Sequence, residues 1–382
     1  MSGVSFVPVN TPLLDGNEKE YLVECIETGW VSSEGPFIKK FEEAFAASVN
    51  RQHGVACANG SAALDLAVAA LGLGPGDEVI VPTFTIISSV QPIVKCGATP
   101  VLVDLDEATL TMRVDQVIAA LTPRTKCIVV VHLYGLPADM QPLLDICKER
   151  GIKLLEDAAE MHGQTYKGQP CGSFGDISIF SFYPNKHITT GEGGMCVTND
   201  DNLAKQCRYY RNLCFDLSGP RFVHQHLGWN YRMTNMQAAL GLAQMEKLDD
   251  HVTKKRAMGS YYQRELQNVP GIVLPPSQCG YAESIYWVFG VVLKDEVSCD
   301  AKEIMGRLGK RGVGTRPFFW CMHEQPVFKN MGLFAGNPSY PVSEKLARRG
   351  FYLPSGLGLS DEDMAHVVAN VKEVMAEITS NS

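Results

Sequence analysis

Along the first half of the chain, short aliphatic runs alternate with longer stretches whose apolar residues recur every three or four positions. The runs are Val55 to Ala58, Val79 to Pro82, Pro100 to Asp104, Cys127 to His132, Ile152 to Glu156 and Ile177 to Phe182, with turn residues such as Gly74-Pro75-Gly76-Asp77 at the joints. Their length and β-rich composition predict strands. Between them, helices are predicted over Ala62 to Leu71, Ile86 to Lys95, Val114 to Leu121 and Met140 to Arg150. Strand and helix in alternation imply an α/β fold built on a mostly parallel sheet. Ahead of this region lie an extended Val4 to Pro12, helical positions around Leu22, Ile26 and Phe37 to Phe45, and a polar break with one aromatic at Thr28-Gly29-Trp30-Val31-Ser32-Ser33.

From about Met233 a long helical pattern runs through Gln244 and Lys254 toward Leu266, followed by strands, turns and a terminal helix. We therefore expect a large domain over residues 1–250 and a smaller C-terminal α/β domain over 251–382. A length of 382 residues and a hydrophobic content of 45% suffice for such a division. The longest apolar runs are strand-sized, so no membrane span is expected. A net charge of −8 without any basic block argues against a nucleic-acid surface and leaves each Lys and Arg to act locally. Twelve cysteines include no C-x-x-C pair, and no basic-then-apolar leader follows Met1. These features fit reduced thiols in a cytoplasmic protein, most of them small core residues, and no metal site is expected.

In open α/β sheets, ligands sit beyond the carboxyl ends of the strands, so the residues just after each run carry the chemical information. Asn59-Gly60-Ser61-Ala62 follows the first run and opens a helix, offering backbone N–H groups, a hydroxyl and the positive end of a helix dipole to a phosphate; Ser61 as a plain helix cap explains the segment equally well. Asp157 closes a later run, with Glu160 three residues on, and can hold a heterocyclic nitrogen protonated. The stretch Phe180 to Met195 sets Ser181 and Lys186 ahead of Gly191, Gly193 and Gly194, where backbone can fold tightly around a ligand. A lysine for an imine, an aspartate for a pyridinium and hydroxyls with helix N–H groups for a phosphate together suit pyridoxal phosphate. Freed from the cofactor, Lys186 has the chemistry to carry a proton, which is the cycle of transamination.

These segments resemble the sugar aminotransferases named for DegT, DnrJ, EryC1 and StrS, and the resemblance covers nearly the whole chain. It is carried by Gly29-Trp30-Val31-Ser32-Ser33, Ala58 to Leu64, Glu156-Asp157-Ala158-Ala159-Glu160, Ser181 to Gly194, Gly228-Trp229-Asn230-Tyr231-Arg232-Met233-Thr234 and Tyr352 to Gly356. The resemblance implies the pyridoxal-phosphate-dependent fold type I of the aspartate aminotransferase superfamily. It implies Lys186 as the covalent anchor, Asp157 at the ring nitrogen, Glu160 near the ring hydroxyl where many relatives have Gln, and Gly60, Ser61, Ala62 and Ser181 around the phosphate. It also implies a homodimer with shared active sites, Asn230 completing the neighbouring subunit's phosphate site. Where relatives often place an aromatic over the cofactor ring this chain has Ile86, and Phe84 lies on the same face, so either can cover the ring. Relatives that act as dehydratases replace the lysine with His; here His187 follows Lys186 without replacing it. A non-catalytic regulator on the same fold need not keep Lys186, Asp157 and Ser181 together.

The aromatic stretch Thr315 to Pro326 is the second candidate site, because Arg316 and His323 beside Phe318 favour an anionic, hydroxylated ligand. This stretch resembles members of the family that act on GDP-4-keto-6-deoxy-mannose. The expected substrates are therefore a GDP-linked keto-sugar and L-glutamate, bound by Trp30, Ser32, Ser33, Arg232, Arg316, Phe318 and His323. The aromatics do not by themselves separate guanine from the pyrimidine of a UDP- or dTDP-linked sugar.

Overall fold

The computed structural model describes residues 6–216, 219–336 and 338–380. Of the extended stretch expected from Val4, the first positions lie outside the described residues, and Val7 pairs with Val313. Seven strands form the main sheet, in the order His53–Cys57, Gly194–Thr198, Ile177–Ser181, Lys153–Asp157, Thr125–Val131, Glu78–Pro82 and Thr99–Val103. All neighbours are parallel except those of Gly194–Thr198, which runs antiparallel to both of its partners. The alternation of side chains along a strand explains why these runs are apolar throughout. Ile80, Val103, Ile128, Val130 and Leu154 pack with Met140, Leu143 and Cys147 of the Met140–Arg150 helix. Their neighbours Val79, Val81, Cys127, Val129 and Leu155 pack on the opposite face with the Gly60–Ala70 helix.

Two expected helices differ in detail. The Ile86 to Lys95 stretch divides into a short 3-10 turn at Ile87–Ser89 and a helix at Gln91–Lys95, with Pro92 in the helix's first turn, where its missing N–H costs nothing. The long pattern from Met233 is two helices, Asn235–Met245 and Leu248–Leu266. Thr234 starts the first through a capping box with Gln237.

A second sheet is antiparallel, in the order Ile272–Val273, Phe289–Leu293, Gly350–Leu353 and Arg316–Pro317. Met258, Tyr262 and Leu266 of the Leu248–Leu266 helix pack there with Val367, Val371 and Val374 of the Asp361–Thr379 helix. Val7 belongs to this second core. No helix among the described residues is long and apolar enough to cross a membrane.

Candidate active site

The Ile177–Ser181 and Gly194–Thr198 strands are joined by a loop that closes on itself. Phe182 N donates to Gly193 O at 2.9 Å and Thr190 N donates to Phe182 O at 3.0 Å. Within the loop, Lys186 N donates to Tyr183 O at 2.9 Å, and Asn10 Nδ2 holds Pro184 O at 2.9 Å. Two glycines bring this loop against the start of the Gly60–Ala70 helix. A Cβ on Gly194 would stand 2.3 Å from Asn59 O, and one on Gly60 would stand 2.7 Å from Ser181 Cβ, so larger residues would push Lys186 and the helix terminus apart.

Together they enclose a cavity of about 560 Å³. Gly60, Ser61, Ser88 and Ser181 line one part, and Asp157, Glu160 and Lys186 another. Ile86 lines it too and is 46% exposed, whereas Phe84 is fully buried against the rings of Tyr134, Phe318 and Phe319. Of the two residues that could cover a bound ring, only Ile86 reaches the cavity. The second sheet and its approach contribute Trp287, Phe319 and Tyr352.

The ionisable groups are tightly packed. Lys186 Nζ lies 4.0 Å from Glu160 Oε1 and 3.7 Å from the centroid of the Trp287 ring. Burial lowers the Lys186 pKa, opposed by the negative charges of Glu160 and Asp157. Glu160 is pushed up to about 8 by burial, against the pull of Lys186 and of Tyr134 N–H, which donates to Oε2 at 2.7 Å. Asp157 is also raised by burial, although Ser89 Oγ donates to its Oδ2 at 2.9 Å and Ala159 N to its Oδ1 at 3.2 Å.

Behind Asp157, Glu156 is completely buried and accepts from Phe174 N at 3.0 Å, Gly175 N at 3.2 Å and Ser178 Oγ at 2.9 Å, as well as from Gly172 N. Burial raises its pKa, but His132 Nε2 at 3.0 Å and these donors prevail and hold it down at about 2. His132, Glu156 and Cys171 bring donor atoms within 4.8 Å of one another, as a metal site would. Here, however, Ala138 N donates to His132 Nδ1 at 3.0 Å and Glu156 is ringed by N–H and O–H donors, so the cluster is a brace for the strand that carries Asp157.

The family model of DegT/DnrJ/EryC1/StrS aminotransferases matches residues 12–372. The chain belongs to this aminotransferase family. It is 41% identical over 375 residues to a protein from Caulobacter vibrioides named GDP-perosamine synthase, covering 98% of this chain and 100% of the relative. It is 40% identical over 366 residues to one of the same name from Vibrio cholerae, covering 96% and 98%. Among solved structures, Spr1654 from Streptococcus pneumoniae, a sugar aminotransferase by its description, superposes with a TM-score of 0.90 in its PMP form and 0.89 in its PLP form. That match has 26% sequence identity over 98% of this chain and 99% of that one.

As a DegT/DnrJ/EryC1/StrS aminotransferase, the protein uses pyridoxal phosphate, and its cavity fits that group. Asn59 Oδ1 takes Ala62 N–H at 2.8 Å, and among the described residues the N–H groups of Gly60 and Ser61 have no protein acceptor. These donors, with Ser61, Ser88 and Ser181, suit a phosphate. Ser61 Oγ lies 2.6 Å from Ser88 Oγ, so both hydroxyls reach the same place. A buried carboxylate at Asp157 suits a protonated ring nitrogen, and the Lys186 amine lies within the same walls.

Several expected site residues stand elsewhere. Ala62 is 2% exposed, does not line the cavity, and its N–H is taken by Asn59 Oδ1. Phe318 is buried, with its ring 4.5 Å from that of Tyr134, and it is Phe319 that lines the cavity; successive residues of an extended segment face opposite sides. His323 does not line the cavity: its Nδ1 lies 2.8 Å from Thr83 Oγ1, its Nε2 lies 3.2 Å from Glu344 Oε1, and it is 5% exposed. Trp30 and Ser32 give their carbonyls to Asn235, away from the Lys186 cavity of the same chain. Ser33 and Arg232 line a separate cleft of about 1060 Å³ beside the Pro36–Ser48 and Asp201–Tyr210 helices.

Asn230 is exposed, its backbone bridged to Asn212, and it does not line its own chain's cavity. Arg316 does stay near: it is exposed and pairs across strands with Tyr352. Burial pushes the Tyr352 phenol up to about 12, with the Arg316 charge opposing the rise. Sequence reasoning missed Trp287, Ser88 and Ser89. Ser88 and Ser89 lay inside an expected helix, and Trp287 gave no local signal.

Proposed function

We propose that this chain transfers the amino group of L-glutamate to C4 of GDP-4-keto-6-deoxy-D-mannose, giving GDP-perosamine, a sugar for O-antigen and lipopolysaccharide assembly. The observation that carries this reading is identity of about 40% along nearly the full length of proteins named GDP-perosamine synthase. Bound pyridoxal phosphate supplies an aldehyde to receive the amine and an electron sink for the carbon that is deprotonated. Lys186 is its covalent anchor, and Gly60, Ser61, Ser88 and Ser181 hold its phosphate. Asp157, fixed by Ser89 and Ala159 N–H, keeps the ring nitrogen protonated, and Ile86 covers the ring by dispersion contact.

Once free, the Lys186 amine removes the α-proton of glutamate and, in the second half of the cycle, delivers a proton to C4 of the sugar. Because that amine enters the cavity from one wall, it sets the configuration at C4. Arg316 at the rim holds the anionic part of the substrate, a carboxylate or the diphosphate. Asn230, exposed and away from its own cavity, reaches the neighbouring subunit of a homodimer, where Trp30, Ser32, Ser33 and Arg232 belong to the shared surface. All twelve cysteines are unpaired, which supports a cytoplasmic setting.

The test is competition. GDP-, UDP- and dTDP-linked 4-keto-6-deoxy sugars are offered together at equal concentration with glutamate, and the products are resolved by mass and NMR. The expected result is a kcat/KM that favours the GDP sugar, with the new amine at C4. Preference for a UDP or dTDP sugar, or an amine at C3, overturns the assignment.

A further inference from the structure

Trp287 is held at three points, two on its ring and one on its backbone carbonyl. Its Nε1 donates to Asn185 O at 2.9 Å, its carbonyl accepts from Lys255 Nζ at 2.9 Å, and its face stacks with Tyr134 at a centroid distance of 6.0 Å and an interplanar angle of 14°. Because Asn185 precedes Lys186, the indole is tied to the same turn that carries the amine. Lys186 Nζ rests 3.7 Å from the ring centroid, with Glu160 Oε1 at 4.0 Å from the amine. Lys255 is 2% exposed and gives its other hydrogen bond to Ser355 O, joining the Leu248–Leu266 helix to the segments just before Phe289–Leu293 and just after Gly350–Leu353. Burial and the nearby Lys186 charge lower the Lys255 pKa to about 7, and its amine donates to these two carbonyls in either protonation state.

We propose that Trp287 is a positioning residue for Lys186, the seat on which the free amine rests in its charged form, and that Lys255 acts on Lys186 by fixing that seat. The inference deepens the reading of Lys186 as the cofactor-bearing, proton-carrying amine. An ammonium over an aromatic face gains electrostatic stabilisation that a neutral amine does not, and the gain is larger where water is excluded. Trp287 is 4% exposed, which meets that condition. The charged or titratable groups coupled to Lys186 are Glu160, Asp157, His162 and Lys255, and only Glu160 and Asp157 favour its charged form. The indole supplies the remaining support, and it holds the amine at one place in the cavity when the amine is not bonded to cofactor.

The experiment reads Lys186 directly in the apoprotein. Competitive acetylation with isotopic acetic anhydride across a pH series, with mass spectrometry of the Lys186 peptide, gives the titration midpoint of that amine. Trp287→Leu is expected to lower the midpoint by about one pH unit, and Trp287→Phe, which keeps a ring but loses the Nε1 bond to Asn185, to lower it by less. Removing the Lys255 amine relieves its direct repulsion of Lys186 in either background, so an action through the indole shows as a Lys255→Met shift of different size in the native chain and in Trp287→Leu, because residues acting through one contact are not additive. An unchanged midpoint in Trp287→Leu overturns the proposal, as does a Lys255→Met shift of equal size in both backgrounds. If Lys255→Met does not fold, the two Trp287 variants decide. The titration needs neither cofactor nor sugar, so a wrong substrate assignment leaves it untouched.

Discussion

Glu160→Gln isolates the cost of a buried charge beside the Lys186 amine. The amide keeps an oxygen for Tyr134 N–H, which donates to Glu160 Oε2 at 2.7 Å, so the change removes the ionisation, and with it the negative partner 4.0 Å from Lys186 Nζ, and little else. In the fold, burial raises the Glu160 pKa from 4.5 to about 8. Between those values the folded protein keeps a proton that the unfolded chain has released, so stability falls as pH rises through the window. The full penalty, reached above the folded pKa, is on the order of 5 kcal/mol, at about 1.4 kcal/mol per pH unit.

The variant carries no such penalty. Urea unfolding of both apoproteins at about pH 5 and about pH 8.5 should therefore give similar stabilities at the lower pH and a variant several kcal/mol more stable at the higher one. Comparing the two chains cancels most other titrations, since these occur in both. Stability curves that run parallel across this range would refute the account of Glu160 as a carboxyl kept neutral by burial.

Asp157→Asn should fold and still bind pyridoxal phosphate but lose activity by a factor of about a hundred or more, because a neutral amide cannot hold the ring nitrogen protonated; steady-state kinetics beside cofactor absorbance checks this, and undiminished turnover would count against the role. Borohydride reduction of the holoenzyme with peptide mapping should place the pyridoxyl label on Lys186, and a label on Lys167 or Lys205 would remove the assignment. Mixed dimers of inactive Lys186→Ala and inactive Asn230→Ala chains should regain one working site in each dimer; no recovery in verified mixed dimers shows that Asn230 does not act across subunits.

Most of the fold was legible in the sequence because its signals are local. Each parallel strand is a short apolar run between helical patterns, and burial on both faces is what makes such a run continuous. The Gly194–Thr198 strand escaped notice because it follows a glycine cluster that reads as a turn, yet it supplies the antiparallel return that closes the Lys186 loop. The break between Met245 and Leu248 was equally hidden, since apolar spacing continues across it and neither glycine nor proline marks it. Ser88 and Ser89 lay inside a predicted helix. In the structure the 3-10 turn at Ile87–Ser89 places Ser89 on Asp157 and Ser88 on Ser61, contacts set by the fold and not by helical periodicity.

The site divides along the same line. Residues that suit the cofactor, from Gly60 to Lys186, follow strands of the first sheet in order, so the rule that ligands sit beyond strand ends finds them. The opposite wall is built by Trp287, Phe319 and Tyr352, which come from three separated segments and meet only because the second sheet pairs Arg316–Pro317 with Gly350–Leu353 and that strand with Phe289–Leu293. No spacing in the sequence encodes that meeting. Phe318 and Phe319 show the consequence: a shift of one residue along an extended backbone exchanges core for cavity. The two walls of the cavity are thus carried by different sheets. Side chains on the wall of Phe319 and Tyr352 can therefore change without moving Lys186, Asp157 or the helix terminus at Gly60, which the first sheet holds.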